Sequence, residues 1–217
     1  MNTADNPSPA RQPLLGGMLI TLAVLSLFAM LHHPVAHSSG AQSHSEAMVR
    51  IAGLARLVHG ALIATMTLSL VLLGEFARLK VQRAAWMRAG FIVYLIGTLL
   101  LCGAALINGF AVPALAESAA ANAVGIEAAY ALAWQFNQAL SGAGTIALAA
   151  GMAIWSMDLV RAAGLTRLTG GYGILAGSGL ALALAGGWLQ LKVPGMLLAL
   201  VLLAIWQVSA GVLLMRK

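Results

Sequence analysis

Six stretches of this chain run for eighteen residues or more with almost no charge, and nothing else in it constrains the fold as much. They read as Leu14–Leu31, Ile51–Leu73, Ala89–Val112, Ala133–Met157, Leu168–Leu191 and Val193–Met215. Roughly 20 apolar residues in a helix span the ~30 Å hydrocarbon core of a bilayer. Lipid offers the backbone no hydrogen-bond partners, so a spanning segment must be a helix or part of a closed barrel. Barrel strands alternate polar and apolar residues, and these runs do not. Only 8% of the chain is Asp, Glu, Lys or Arg, against about 25% in soluble domains. The expected fold class is all-α: a polytopic membrane protein with six transmembrane helices in one bundle. Residues 1–13, with Pro7, Pro9 and Pro13, are expected to form a disordered cytoplasmic tail. Residues 14–217 form the single transmembrane domain.

The formal net charge is +6. Its placement decides what that means. Arg11, Arg78, Lys80, Arg83, Arg88, Arg161, Arg167, Arg216 and Lys217 all fall at the end holding the two tails. Arg50, Arg56 and Lys192 fall at the other end. The acids divide evenly, with Asp5, Glu75 and Asp158 at the first end and Glu46, Glu117 and Glu127 at the second. Lys and Arg in short loops favour the cytoplasm, so both termini are expected inside a bacterial-type inner membrane. The basic balance is thus a topology signal with some pull toward anionic lipid, and no nucleic-acid partner is expected. Trp134 and Trp188 are expected near the outer interface, Trp86 and Trp155 near the inner one, and Trp206 deeper as a packing residue.

The first span is read as retained. Its run of 18 residues exceeds the usual 7–15-residue core of a cleaved signal, and Ala36-His37-Ser38 is a poor cleavage site. The segment 114–132 is Ala-rich, which favours helix. It is expected to lie along the membrane surface or to extend the third and fourth spans above it. Gly173 and Gly177 form a small-xxx-small pair for helix packing within the bundle, or for a homo-oligomer or another membrane subunit.

Polar side chains are costly in hydrocarbon, and those that remain usually face the bundle interior. Four spans turn polar at the same outer depth. They bring His32 and His33, Arg56 with His59, Asn108, and Asn137 with Gln138. In the third span Tyr94, Thr98, Cys102, Ala105 and Asn108 share one face, and in the fourth Asn137, Ser141 and Thr145 recur every four residues. The leading expectation is a pocket on the periplasmic side, lined by Arg56, His59, Asn108, Asn137 and Gln138, that binds a small ligand or ion. Arg56 would attract an anionic group, and His59 would bind or sense protons. The plainer reading is that His59 hydrogen-bonds Asn108 or a carbonyl and fixes helix packing.

Two further readings stand beside it. One is a structural or assembly subunit that uses the glycine-rich fifth span. The other is a copper or zinc binder through His32, His33 and His37, since neutral imidazoles suit both metals. Their spacing is weak for this purpose. Adjacent helical residues diverge by about 100°, and Pro34 interrupts a helix between His33 and His37. Haem is not expected, because two axial histidines must face each other and only His59 lies within a span. The sequence requires no cofactor. Catalytic signatures such as GxSxG, HExxH and the P-loop are missing, and no carboxylate lies deep in a span. The lone Cys102 reads as a small packing residue. The two halves show no internal repeat.

Overall fold

Each apolar run becomes a helix because helix formation satisfies its backbone internally. The computed structural model describes residues 11–34, 44–80, 85–120 and 125–216. These form α1 (Arg11–Leu31), α2 (His44–Lys80), α3 (Ala85–Leu106), a π-helical turn (Ile107–Ala111), α4 (Val112–Ala120), α5 (Ile126–Leu159), α6 (Gly164–Ala185) and α7 (Val193–Met215). No strand occurs among the described residues. Six of the helices are long and apolar enough to cross a membrane, counting α3 through α4 as one. That is the architecture of a multi-pass membrane protein.

Several boundaries differ from the sequence expectation, each for a local reason. The first helix starts at Arg11, inside the expected tail. Pro13 is tolerated there because a first-turn residue needs no intrahelical N–H bond. The fifth span stops at Ala185, six residues short of Leu191. Gly186 closes it and Gly187 turns the chain at φ 72°, a conformation that glycine adopts without a Cβ penalty. The third span does not stop at Pro113. Proline lacks an N–H, and its ring collides with the carbonyl four residues back in a regular helix. Here the turn before it widens, and the Val112 N–H donates to the Ile107 carbonyl five residues earlier. The helix then runs on through the buried Pro113 to Ala120. Residues 114–120 therefore continue the line of α3, and 126–132 form the first turns of α5.

Neighbours follow chain order around a ring. α1 packs on α2, α2 on α3, α3 on α5, α5 on α6, α6 on α7, and α7 returns to α1. Glycines set the closest approaches. On α3, a Cβ at Gly90 would meet the Trp155 backbone nitrogen at 2.5 Å, and one at Gly97 would meet that of Leu148 at 2.6 Å. Gly151 faces Tyr94 across the same seam. Gly16 on α1 lies against the Gly211 carbonyl on α7. Gly173 abuts Ser156, and Gly177 meets Ala153, so both of these α6 glycines are used inside the chain.

The core is aromatic at the level of these seams. Trp155 and Trp206 are fully buried, with ring centroids 5.4 Å apart in an edge arrangement. Tyr94, Phe76 and Phe91 pack around Trp155. Trp155 is thus a core residue, not the interfacial anchor expected from sequence. Trp86, Trp134 and Trp188 are exposed. The outer surface carries Leu57, Leu99, Leu168, Leu175 and Leu182, all more than 60% exposed. Large apolar side chains displayed this way suit lipid and not water.

The helices differ in length. α1, α6 and α7 have 21, 22 and 23 residues. α2 and α5 have 37 and 34 residues. At 1.5 Å per residue the long ones reach roughly 50 Å, well beyond a ~30 Å core. At the end away from the termini, α4 packs between α2 and α5, and these three helices form a collar open between α2 and α5. The candidate site lies at the base of that collar.

Candidate functional site

His59 is buried on α2, 4% exposed. Its Nδ1–H donates to the Ala55 carbonyl one turn back, at 2.7 Å. That bond places the ring proton on Nδ1 and leaves the Nε2 lone pair pointing away from α2. The widened turn after α3 receives this ring. Gly109 lies directly against the His59 side chain, where a Cβ would overlap it. Asn108, beside it in the same turn, donates from Nδ2 to His59 Nε2 at 3.1 Å. The π-helical turn thus does two things at once. It accommodates Pro113, and it brings the Asn108 amide to the buried imidazole. Such turns are frequent at functional sites.

His33 completes the cluster from a third direction. α1 ends at Leu31, and Pro34 holds the chain out of helix. The His33 ring crosses to α2, and its Nε2–H donates to His59 Nε2 at 3.2 Å. The two ring planes meet at 73° with centroids 4.9 Å apart. They converge at their nitrogen tips and do not stack. Burial, and then the neighbouring His59, lower the pKa of His33 to about 4. It is therefore neutral near pH 7.

Two donors address one lone pair. A neutral imidazole has a single acceptor nitrogen, and His59 Nε2 receives both Asn108 and His33. Among the described residues, His33 Nδ1 is buried and has no hydrogen-bond partner. No carboxylate of the described residues joins the cluster. Among the described residues, no group of three or more His, Cys, Asp or Glu side chains converges here, so the donors on offer are two imidazoles and one amide.

The remaining sequence candidates lie elsewhere. Arg56 pairs with Glu117 of α4 at 2.7 Å, with both side chains more than 40% exposed. It closes the collar one turn above His59 and does not face the cluster. Asn137 is buried on α5, but no hydrogen bond links it to His33, His59 or Asn108. Gln138 is exposed. His32 is exposed too, and its Nδ1–H donates to the Phe28 carbonyl at 2.9 Å. It points away from His33 just past the end of α1. His37 lies outside the described residues.

Sequence reasoning missed Glu117 as the partner of Arg56, and Gly109 as the seat of His59. The signal for the second was present. A glycine four residues before a proline in an apolar helix marks a site where the backbone must give.

A second polar group lies deeper, among the aromatics. The Trp206 indole N–H donates to Ser156 Oγ at 3.1 Å, and Gln207 Nε2 donates to the Tyr94 hydroxyl at 2.8 Å. These bonds satisfy polar groups in apolar surroundings and join α7 to α5 and α3. They serve packing. Compared with known proteins, the chain matches no protein-family model, no curated protein and no solved structure.

Proposed function

We propose that this is a multi-pass protein of a bacterial-type inner membrane that binds a small ion at the His33–His59–Asn108 cluster. One observation carries this reading: His33 Nε2 and Asn108 Nδ2 converge on His59 Nε2 at 3.2 and 3.1 Å, with one lone pair for two donors. Helix packing alone requires only one such bond. The excess of lysine and arginine at the termini end supports an orientation with both tails in the cytoplasm. The collar and the cluster then face the periplasm. The assembly-subunit reading has less support, because Gly173 and Gly177 already pack against α5.

The test is thermal unfolding of the full chain in detergent, with a panel of monovalent and divalent ions, for wild type and His59→Leu. An ion present at about 100 times its Kd stabilises by roughly 2.7 kcal/mol. At least one ion should raise the wild-type midpoint and leave that of His59→Leu unmoved. If every ion acts equally on both proteins, His59 is a packing residue and the reading fails. A periplasm-active reporter fused after Lys217 should be silent, and an active one would invert the orientation.

A further inference from the structure

The donor atoms and their spacing narrow the class of ion. We infer that His33 Nε2, His59 Nε2 and the Asn108 side-chain oxygen hold a zinc-type divalent ion in tetrahedral coordination, the fourth position being left to water. The inference rests on the ion-binding reading above and narrows it.

Three features carry it. The first is distance. Two imidazole nitrogens on one tetrahedral zinc, each ~2.0–2.1 Å from the metal, stand roughly 3.3–3.4 Å apart. His33 Nε2 and His59 Nε2 are 3.2 Å apart. The Asn108 amide atom is 3.1 Å from His59 Nε2, close to a second edge of the same tetrahedron. A linear two-coordinate ion would need about 4 Å between the nitrogens, twice the metal–nitrogen distance. The second is orientation. A metal-bound histidine almost always donates its other N–H to a carbonyl or carboxylate, which fixes the ring and its tautomer. His59 already does so through Ala55, whereas the other nitrogen of His33 has no such acceptor among the described residues. The third is the donor set. Two neutral imidazoles and an amide oxygen, without thiolate, favour a borderline ion such as zinc over soft copper(I).

Binding needs two small adjustments. The Asn108 amide turns by half a rotation, so that its oxygen replaces its nitrogen. The His33 proton moves from Nε2 to Nδ1. Among the described residues that second nitrogen makes no hydrogen bond, so it takes the proton without breaking one. No proton is released. His33 is only partly buried, whereas His59 is almost fully buried.

Cobalt(II) is the probe, because four-coordinate cobalt absorbs strongly in the visible and six-coordinate cobalt hardly at all. Full-length protein in detergent should develop the four-coordinate spectrum with one equivalent of cobalt, and one equivalent of zinc should abolish it. His33→Ala and His59→Ala should each lose the spectrum. Asn108→Ala should weaken zinc binding roughly tenfold or more, the scale of losing a group that positions a metal. Asn108→Asp should keep the spectrum, which separates ligand loss from misfolding. Helical circular dichroism and a single elution peak check each variant. A wild-type protein without the spectrum overturns the inference. So does a spectrum that survives His59→Ala, since the metal is then held elsewhere. If cobalt gives no spectrum while another ion still stabilises wild type over His59→Leu, the zinc assignment falls and the ion-binding reading stands. If no ion does so, both fall.

Discussion

Gly109 and His59 occupy one space: a methyl group on the glycine would overlap the histidine Cβ and crowd its Cγ at 2.8 Å. The position of the buried imidazole therefore depends on a residue without a side chain in the adjoining π-helical turn. Gly109→Ala should lower stability by about 1–3 kcal/mol, the usual cost of overpacking. It should also push His59 away from Asn108 and reduce ion binding. Gly103→Ala on the same helix meets only Leu140 at 3.4 Å, an ordinary contact, and should do neither. Thermal unfolding with and without zinc reads both effects. Equal behaviour of the two variants would mean that the turn does not seat the histidine.

The α3–α5 seam makes a second expectation. Gly90 and Gly97 are seven residues apart on α3, and Gly144 and Gly151 are seven apart on α5. Added methyls at Gly90, Gly97 and Gly151 would strike backbone atoms of the opposite helix, which cannot swing aside. Each of these three changed to Ala should cost about 1–3 kcal/mol. Gly142→Ala and Gly179→Ala point into open space. They should be neutral or stabilising by up to about 1 kcal/mol, the helix preference of Ala over Gly. Unfolding midpoints in detergent would separate the two groups, and a uniform response would remove the glycines as the cause of the close approach.

These seams show what could be read from sequence. The six helices were legible because the hydrocarbon core imposes a length and an apolar composition on each one. Position along the spans puts His32, His33, Arg56, His59, Asn108, Asn137 and Gln138 at one level, and His33, His59 and Asn108 meet there. His32, Arg56, Asn137 and Gln138 do not join them. Depth is one coordinate, set by position along the chain. The direction in which a side chain points depends on which helices are neighbours, and periodicity does not encode that. The GxxxG pair on α6 was visible because its spacing is short. The seven-residue glycine pairs of α3 and α5 draw no notice until the two helices are known to touch. Trp155 was misplaced for the same reason, since its position near a helix end suggested the interface while its neighbours enclose it in the core.

Arg56 and Glu117 should matter little to stability. Their 2.7 Å pair joins α2 to α4, but both partners are well exposed. Exposed ion pairs contribute ~0–1 kcal/mol. Arg56→Ala and Glu117→Ala should each shift stability by no more than about 1 kcal/mol, and both should leave the cobalt spectrum in place. Loss of the spectrum in Arg56→Ala would bring that residue into the site after all.

Acid should weaken the metal-free protein through His33. Its folded-state pKa is lowered to about 4, by burial and then by the adjacent His59, and an unfolded histidine sits near 6.5. The unfolded chain therefore binds the proton more readily between these values. Stability rises with pH wherever the unfolded state holds more protons. The His33 contribution is fully present above pH 6.5, declines as pH falls from 6.5 toward 4, and is lost below the folded pKa. His33→Gln removes this titration. The difference in unfolding midpoint between wild type and His33→Gln, measured in chelator, should narrow or reverse as pH drops from 7 to 4. A constant difference across that range would show that His33 is not held neutral by its burial beside His59.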